Sequence, residues 1–391
     1  MKRVQRIPAP VESKKTPQIN TRQLCFFAAV ILPVTKLLEA PSSFAKNALG
    51  DLLLPAFLQF LLQFVGICAL LLAMNKSGKN VFDLIEEKLG VVALKGVYIL
   101  LGAYYLFSAL LPLLDLEKFI HAVFYDTAPS RFTFTPFFFL SAFVCVKGLR
   151  ELGRAADLCL PVFLIAFFGL ILMSVGESDF EALLPWFEFP ASKILGAVKS
   201  TTTHFSDTLL LLPLLANSDY KKGDDKKIIT AFWTGACFAL LFLAVFYGVY
   251  TTLAPRQHYA FSKIAQYFPA LKTVGRVDLM LVYLLTAILL LATISPVLFS
   301  CVCLQKVFGK KSKFALSVAI NGGLLAFVLY SNQYYNLLYE IFTAKLWWIF
   351  PSFSVVLPWL FLFLLIGKNR RKKAKSKRKL NSKSREVKYA R

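Results

Sequence analysis

The chain has 391 residues, of which 57% are hydrophobic and 17% charged, and its mean hydropathy is +0.61. This composition excludes an ordinary soluble domain, which needs a larger charged fraction, and indicates a membrane protein with several spans. The net charge of +23 is concentrated at the C-terminus, where residues 368–391 carry 13 Lys and Arg against the single acid Glu386. A polybasic segment directly after an apolar span is typical of attraction to anionic lipid head groups. We therefore expect anionic lipids, and no nucleic acid, as partners of this tail.

Ten apolar stretches approach the roughly 20 residues that a membrane-spanning helix requires. They predict an all-α polytopic membrane protein with a basic cytoplasmic N-terminal segment (1–21), a transmembrane domain of about ten helices (22–367) and a polybasic cytoplasmic tail (368–391). Ten spans divide into five plus five, and an odd number in each half requires that a structural repeat be inverted. The predicted spans cover residues 22–42, 52–74, 92–114, 132–147, 157–175, 191–216, 229–252, 278–304, 314–331 and 346–366.

The basic residues predict the orientation of the spans. With the N-terminus inside, the cytoplasmic segments hold 34 of the 45 Lys and Arg residues and the external segments hold 10. Because short cytoplasmic connections are enriched in Lys and Arg, both termini are expected in the cytoplasm.

The first span is interrupted by charge and by proline. Lys36 and Glu39 lie between Pro33 and Pro41, at a depth where hydrocarbon is expected. An ionised group at the bilayer centre costs about 2.5–3.5 kcal/mol, and each proline removes a backbone donor. On a continuous helix Lys36 and Glu39 share one face. Two interpretations stay open: a mutual ion pair, or a Lys36 that faces a cavity, where it holds a ligand carboxylate, replaces a coupling cation or exchanges a proton.

Further polar residues lie in and after the third span. Asp115 and Glu117 follow it closely, as a solvated external helix end or as the border of an outer vestibule. Tyr104 and Tyr105 within the span either line a pocket or pack.

The sixth span is interrupted by a polar run. Hydroxyl residues 200–203 precede His204, Ser206 and Asp207, and hydroxyls can bond carbonyls that unwinding frees. Asp207 is the natural partner of a ligand amine or of Lys36, or else it lies in the cytoplasmic third and is reached by water. His204 is either part of the site or a hydrogen-bonded packing residue. Each of the two broken spans is the first span of one half of the protein, and such a pair indicates a transporter-type binding site.

No motif for enzymatic chemistry is present. The sequence has no phosphate-cradling glycine loop, no nucleophile elbow and no His or Cys cluster at metal-ligand spacing. We expect no enzymatic activity, no metal and no cofactor.

Several short motifs follow one another in the order found in a known family. They resemble the B subunits of spore germination receptors (endospore germination permeases), which belong to the amino acid–polyamine–organocation superfamily. The likeness extends over most of residues 21–310. The motifs are Thr21-Arg22-Gln23-Leu24, Ala40-Pro41-Ser42 with Ala45-Lys46, Val146-Lys147-Gly148 through Leu160-Pro161, Leu183-Leu184-Pro185, and Gly275-Arg276-Val277-Asp278.

The resemblance implies a ten-helix inverted-repeat fold in the spore inner membrane or the cell membrane. It implies a sensor of a small nutrient, often an amino acid, that acts with A-type and C-type receptor subunits. A proton-coupled amino acid symporter of the same superfamily is the alternative. The ligand is expected between the two broken spans, at Val34, Thr35, Lys36, Glu39, Thr203, His204, Phe205, Ser206 and Asp207.

The chain departs from the family pattern at both breaks. Family members usually have a glycine-containing stretch where this chain has Val34-Thr35-Lys36, and Gly-Glu where it has Ser206-Asp207. Backbone amides are therefore less open to a ligand carboxylate, and Lys36 is expected to substitute for them.

Overall fold

The structure is a computed structural model that describes residues 19–77, 80–125, 127, 129–184, 187–221, 223–267, 278–309 and 312–363. The helices of the first half are α1 (Thr21–Phe26), α2 (Ala40–Ala48), α3 (Leu53–Ser77), α4 (Val81–Leu89), α5 (Val91–Phe124), α6 (Ser130–Lys147) and α7 (Leu149–Val175). Those of the second half are α8 (Ala191–Thr201), α9 (Leu211–Ala216), α10 (Asp224–Tyr250), α11 (Ala260–Tyr267), α12 (Asp278–Phe308), α13 (Lys313–Ser331), α14 (Tyr335–Glu340) and α15 (Ile349–Phe363).

The first break separates α1 from α2 and begins with irregular helical turns. A π-helical turn at Phe27–Ile31 precedes Pro33, which has no N–H to continue the α-helical ladder. A 3₁₀ turn at Thr35–Leu37 follows, and the helical ladder then stops. The freed carbonyl of Leu38 accepts a hydrogen bond from the backbone N–H of Ala260 at 2.9 Å. The start of α11, a separate element of the chain, therefore supports the first break.

Helix α10 packs unusually close to this break. A Cβ atom on Gly235 would lie 2.7 Å from the carbonyl oxygen of Ala29 and 2.9 Å from Cγ of Pro33. Only glycine permits this approach, because any side chain would push α10 away from the irregular turns.

The second break separates α8 from α9 and consists of two 3₁₀ turns, Thr202–Phe205 and Asp207–Leu210. Hydroxyls within the polar run bond the backbone, as predicted: Thr202 Oγ1 donates to the carbonyl of Val198 at 2.7 Å, and Ser206 Oγ donates to that of Thr203 at 2.9 Å.

Neighbouring helices bond three further carbonyls of the second break. Gln63 Nε2 on α3 donates to the carbonyl of Phe205 at 3.0 Å. On α5, the hydroxyls of Tyr104 and Tyr105 donate to the carbonyls of Ser206 and Leu209, both at 2.8 Å. Because a bare carbonyl is costly away from water, these three side chains hold the unwound segment in place.

The exterior has the character of a membrane protein. Leu172, Ile165 and Phe139 are 77%, 68% and 73% exposed, where a soluble protein would carry polar groups. Six helical stretches are long and apolar enough to cross a membrane: Ala40–Lys76, Val91–Phe124, Leu149–Val175, Asp224–Arg256, Leu279–Phe308 and Lys313–Lys345. Shorter apolar helices cover Phe132–Lys147 and Ile349–Phe363, and the two broken segments open the two halves. The prediction of an all-α polytopic membrane protein is confirmed.

Some predicted boundaries were wrong. The first broken segment ends at Ala48 rather than at 42, and α5 runs on to Phe124 rather than ending at 114. The short helices α4 and α11 were not predicted, because both are too short and polar to register as spans. The polybasic tail, 368–391, and most of the predicted N-terminal segment lie outside the described residues.

Candidate functional site

The two broken segments are joined by a buried ion pair. Lys36 Nζ donates hydrogen bonds to Asp207 Oδ2 and, at 2.6 Å, to the carbonyl of Leu32. The side chains of Lys36 and Asp207 are only 2% and 13% exposed. Of the two partners open to Lys36 from the sequence, the structure therefore selects Asp207.

Glu39 has a different partner. The helix unwinds after Leu37, so the argument that Lys36 and Glu39 share a helical face fails. The Glu39 carboxylate lies 3.5 Å from Nδ1 of His258, in the segment before α11, and its side chain is 8% exposed. The interpretation of a Lys36–Glu39 pair is wrong for this structure.

A second layer of residues supports the ion pair. Gln63 Nε2 donates to the other carboxylate oxygen of Asp207, as well as to the carbonyl of Phe205. The Phe205 ring lies 5.4 Å from Lys36 Nζ, within the range of a cation–π contact. The same ring packs edge-on against Phe60 at 5.0 Å. Sequence analysis missed Gln63, although a glutamine in an otherwise apolar span is a signal of a buried polar role.

A cavity of about 60 Å³ lies between the two breaks, closed by α5 and α12. Of the predicted site residues, Val34, Lys36 and Phe205 do not line it. Val34 is buried in the core, and Lys36 contacts the cavity wall through Asp207 and the hydroxyl of Thr35. The predicted residues that line the cavity are Thr35, Glu39, Thr203, His204, Ser206 and Asp207.

Two polar atoms on the cavity wall have unused hydrogen-bonding capacity. Thr203 Oγ1 and His204 Nε2 are both buried and have no partner among the described residues. Buried polar atoms are nearly always bonded, so such a pair marks a place for a ligand or ordered water.

The third carboxylate of the cavity was not predicted as part of the site. Asp115 lines the cavity together with Glu39 and Asp207, and its Oδ1 accepts a hydrogen bond from the hydroxyl of Tyr335 at 2.7 Å. Sequence analysis left Asp115 either at a solvated external helix end or at the border of an outer vestibule, because hydropathy alone ended the span at 114. In the structure α5 continues to Phe124, about two and a half turns further, so Asp115 lies inside the protein.

An integral membrane protein in which two broken helices enclose a polar cavity has the architecture of a membrane permease. Residues 18–336 match the family model of the spore germination protein permeases, and the chain belongs to that family. The family is of the permease type, not an enzyme type.

The fold is similar to a solved structure, that of MhsT in complex with L-phenylalanine. The TM-score is 0.63 and the identity 13%, and the match covers 90% of this chain and 90% of that chain. At this identity the likeness shows the fold alone. No curated protein sequence matches the chain.

Proposed function

We propose that the chain is the membrane-embedded nutrient-sensing subunit of a spore germination receptor, with its ligand in the cavity between the two breaks. The observation that carries the proposal is the Lys36–Asp207 pair, which links both breaks; two atoms of the second break, Thr203 Oγ1 and His204 Nε2, have no hydrogen-bond partner among the described residues. Membership of the spore germination family supports the biological role.

The chemistry of the cavity favours a small amino acid as the ligand. Glu39 and Asp115 present carboxylates that suit the ammonium group of the ligand. Thr203 and His204 offer further hydrogen bonds to polar groups of the same ligand. Lys36, held by Asp207, becomes available to a ligand carboxylate only if that pair opens. The similarity to MhsT, which was solved with L-phenylalanine, supports an amino acid ligand.

Ligand entry requires movement of the cavity walls. At roughly 30 Å³ for each water molecule, a cavity of about 60 Å³ accommodates about two waters, which is less than an amino acid occupies. At the two breaks the backbone can change direction without breaking the hydrogen bonds of a continuous helix. In our proposal their displacement is the signal that reaches the A-type and C-type receptor subunits, with both termini of this chain in the cytoplasm.

A proton-coupled amino acid symporter is the second candidate. The observation that favours it is the ammonium of Lys36, which lies between the breaks and bonds the backbone carbonyl of Leu32, next to Pro33. Permeases of this architecture place a coupling cation beside unwound backbone.

Germination assays test the proposal. Spores that lack this chain should lose the response to at least one nutrient in a panel of amino acids, and the wild-type chain should restore it. Restoration with Thr203→Val should shift the nutrient dose response about tenfold, because one hydrogen bond to a charged ligand is lost. The matched control is Thr286→Val, a buried threonine of α12 that does not line the cavity and whose hydroxyl bonds the carbonyl of Val282; this variant should respond as the wild type does.

Two outcomes contradict the proposal. If spores that lack this chain respond normally to every amino acid in the panel, the chain is not a nutrient sensor. Uptake of labelled amino acid into proteoliposomes, driven by a pH gradient, would favour the symporter instead.

A further inference from the structure

A second, larger cavity lies at the end of the molecule that carries the start of α1. Its volume is about 920 Å³, and the ends of five helices, α1, α6, α7, α12 and α13, contribute to its walls. Five cations line it: Lys147 at the end of α6, Arg150 and Arg154 at the start of α7, Lys306 at the end of α12 and Lys313 at the start of α13. Among the described residues that line it there is no Asp or Glu.

The positive charge of this basic cavity is only partly neutralised. Arg154 forms an ion pair with Glu151 at 2.9 Å. Arg150 and Lys313 have no carboxylate partner within the described ranges, and the Lys313 side chain is half-buried. Cations gathered along one concave surface raise the local concentration of anions.

Uncharged donors face the same space. Gln305 lines the cavity, and its Nε2 is buried and has no hydrogen-bond partner in the part of the chain that the structure describes. The start of α7 also borders the cavity, and its N-cap, Gly148, has no side chain to cap the first N–H groups. Lys313 Nζ lies 3.6 Å from the position that a Cβ of Gly148 would occupy. Backbone donors and a lysine ammonium therefore converge near one point, in the arrangement by which helix starts bind anions.

We propose that the basic cavity binds a phosphate-bearing anion, with Arg150, Lys313 and Gln305 as its principal ligands. Its volume falls within the range of about 300–1,000 Å³ that small-molecule sites occupy, so it has room for more than a bare phosphate. Basic pockets between membrane helices suit phospholipid head groups, and a free phosphate offers the same chemistry. The site is separate from the central cavity and from the nutrient that the chain senses.

Binding to the purified full-length chain in a neutral detergent tests the proposal. The probes are dihexanoyl phosphatidylglycerol and inorganic phosphate, titrated by calorimetry. The double variant Arg150→Gln with Lys313→Gln should weaken phosphatidylglycerol binding at least tenfold, which corresponds to about 1.4 kcal/mol. The matched control, Lys95→Gln with Lys226→Gln, removes the same charge from exposed helix starts at the same end and should bind as the wild type does.

A third variant separates the cavity from general charge. Gln305→Met keeps the net charge and the approximate side-chain size but removes the buried amide, and it should weaken binding by roughly tenfold. If inorganic phosphate binds with the same dependence on these residues, the phosphate group itself is recognised. If only phosphatidylglycerol binds, the lipid head group is the ligand.

Three results would overturn the proposal. Equal losses in the cavity double variant and in its control would reduce the effect to surface charge. Absence of binding by both probes to the wild type would remove the site. Binding of a hexaglutamate peptide, with neither phosphate probe bound, would assign the cavity to an acidic protein segment instead.

Discussion

Asp207→Asn is expected to be the most damaging single substitution in the central site, because it strands the buried ammonium of Lys36. The Lys36 side chain is 2% exposed, and after the substitution only uncharged acceptors would remain to bond it: the amide oxygen of the new Asn, the Leu32 carbonyl at 2.6 Å and the Thr35 hydroxyl at 3.4 Å. Removal of one partner from a buried ion pair costs about 3–5 kcal/mol. We expect the upper part of that range, since no other carboxylate forms an ion pair with Lys36 among the described residues.

The reciprocal variant should cost less. Lys36→Met strands a carboxylate that is 13% exposed, borders the cavity and keeps its hydrogen bond from Gln63. We expect a loss of about 3 kcal/mol. The double variant, Lys36→Met with Asp207→Asn, leaves no buried charge at the pair and should lie within about 1 kcal/mol of the wild type. The two substitutions are therefore expected to be strongly non-additive, since their side chains are in direct contact.

The free energy of unfolding of all four proteins, measured by denaturant titration in micelles, tests this reasoning. Single losses below about 1 kcal/mol that add in the double variant would refute it, because the pair would then behave as a solvated one. The double variant also separates structure from sensing. Normal stability without a nutrient response would place the pair in the binding mechanism, and a normal response would leave it a structural role only.

Three further outcomes are expected. A cysteine at Asp179 should react with an impermeant thiol reagent added outside the membrane, and one at Lys226 should not; the reverse pattern would overturn the orientation. Gly235→Ala should destabilise the protein by about 1–3 kcal/mol, because its Cβ would overlap a backbone carbonyl at 2.7 Å, whereas Gly96→Ala, with open space around it, should not; equal thermal stability of the two variants would show that α10 adjusts freely. Tyr104→Phe should cost about 1–3 kcal/mol in unfolding free energy by leaving a buried carbonyl of the second break unbonded, and an unchanged value would mean that water replaces the hydroxyl.

Much of the site's framework followed from local chemistry. Pro33 lacks a backbone N–H in any conformation, and the hydroxyls of residues 200–203 can form hydrogen bonds with backbone carbonyls in any helix. Both breaks were therefore predictable from the sequence. The partner of Lys36 was not predictable in the same way. Glu39 is three residues away, and the choice between it and Asp207 depended on whether the helix continued beyond Leu37.

The sequence by itself determined the membrane class, the positions of the apolar spans and the two interruptions, because hydropathy and missing backbone donors belong to each residue. The tertiary structure alone decided which charges meet. Lys36 and Asp207 are 171 positions apart, and Asp115 enters the cavity only because α5 continues past the end of its apolar stretch. Such pairings arise when separate helices pack, since a buried charge takes whatever opposite charge the packed neighbours bring within reach.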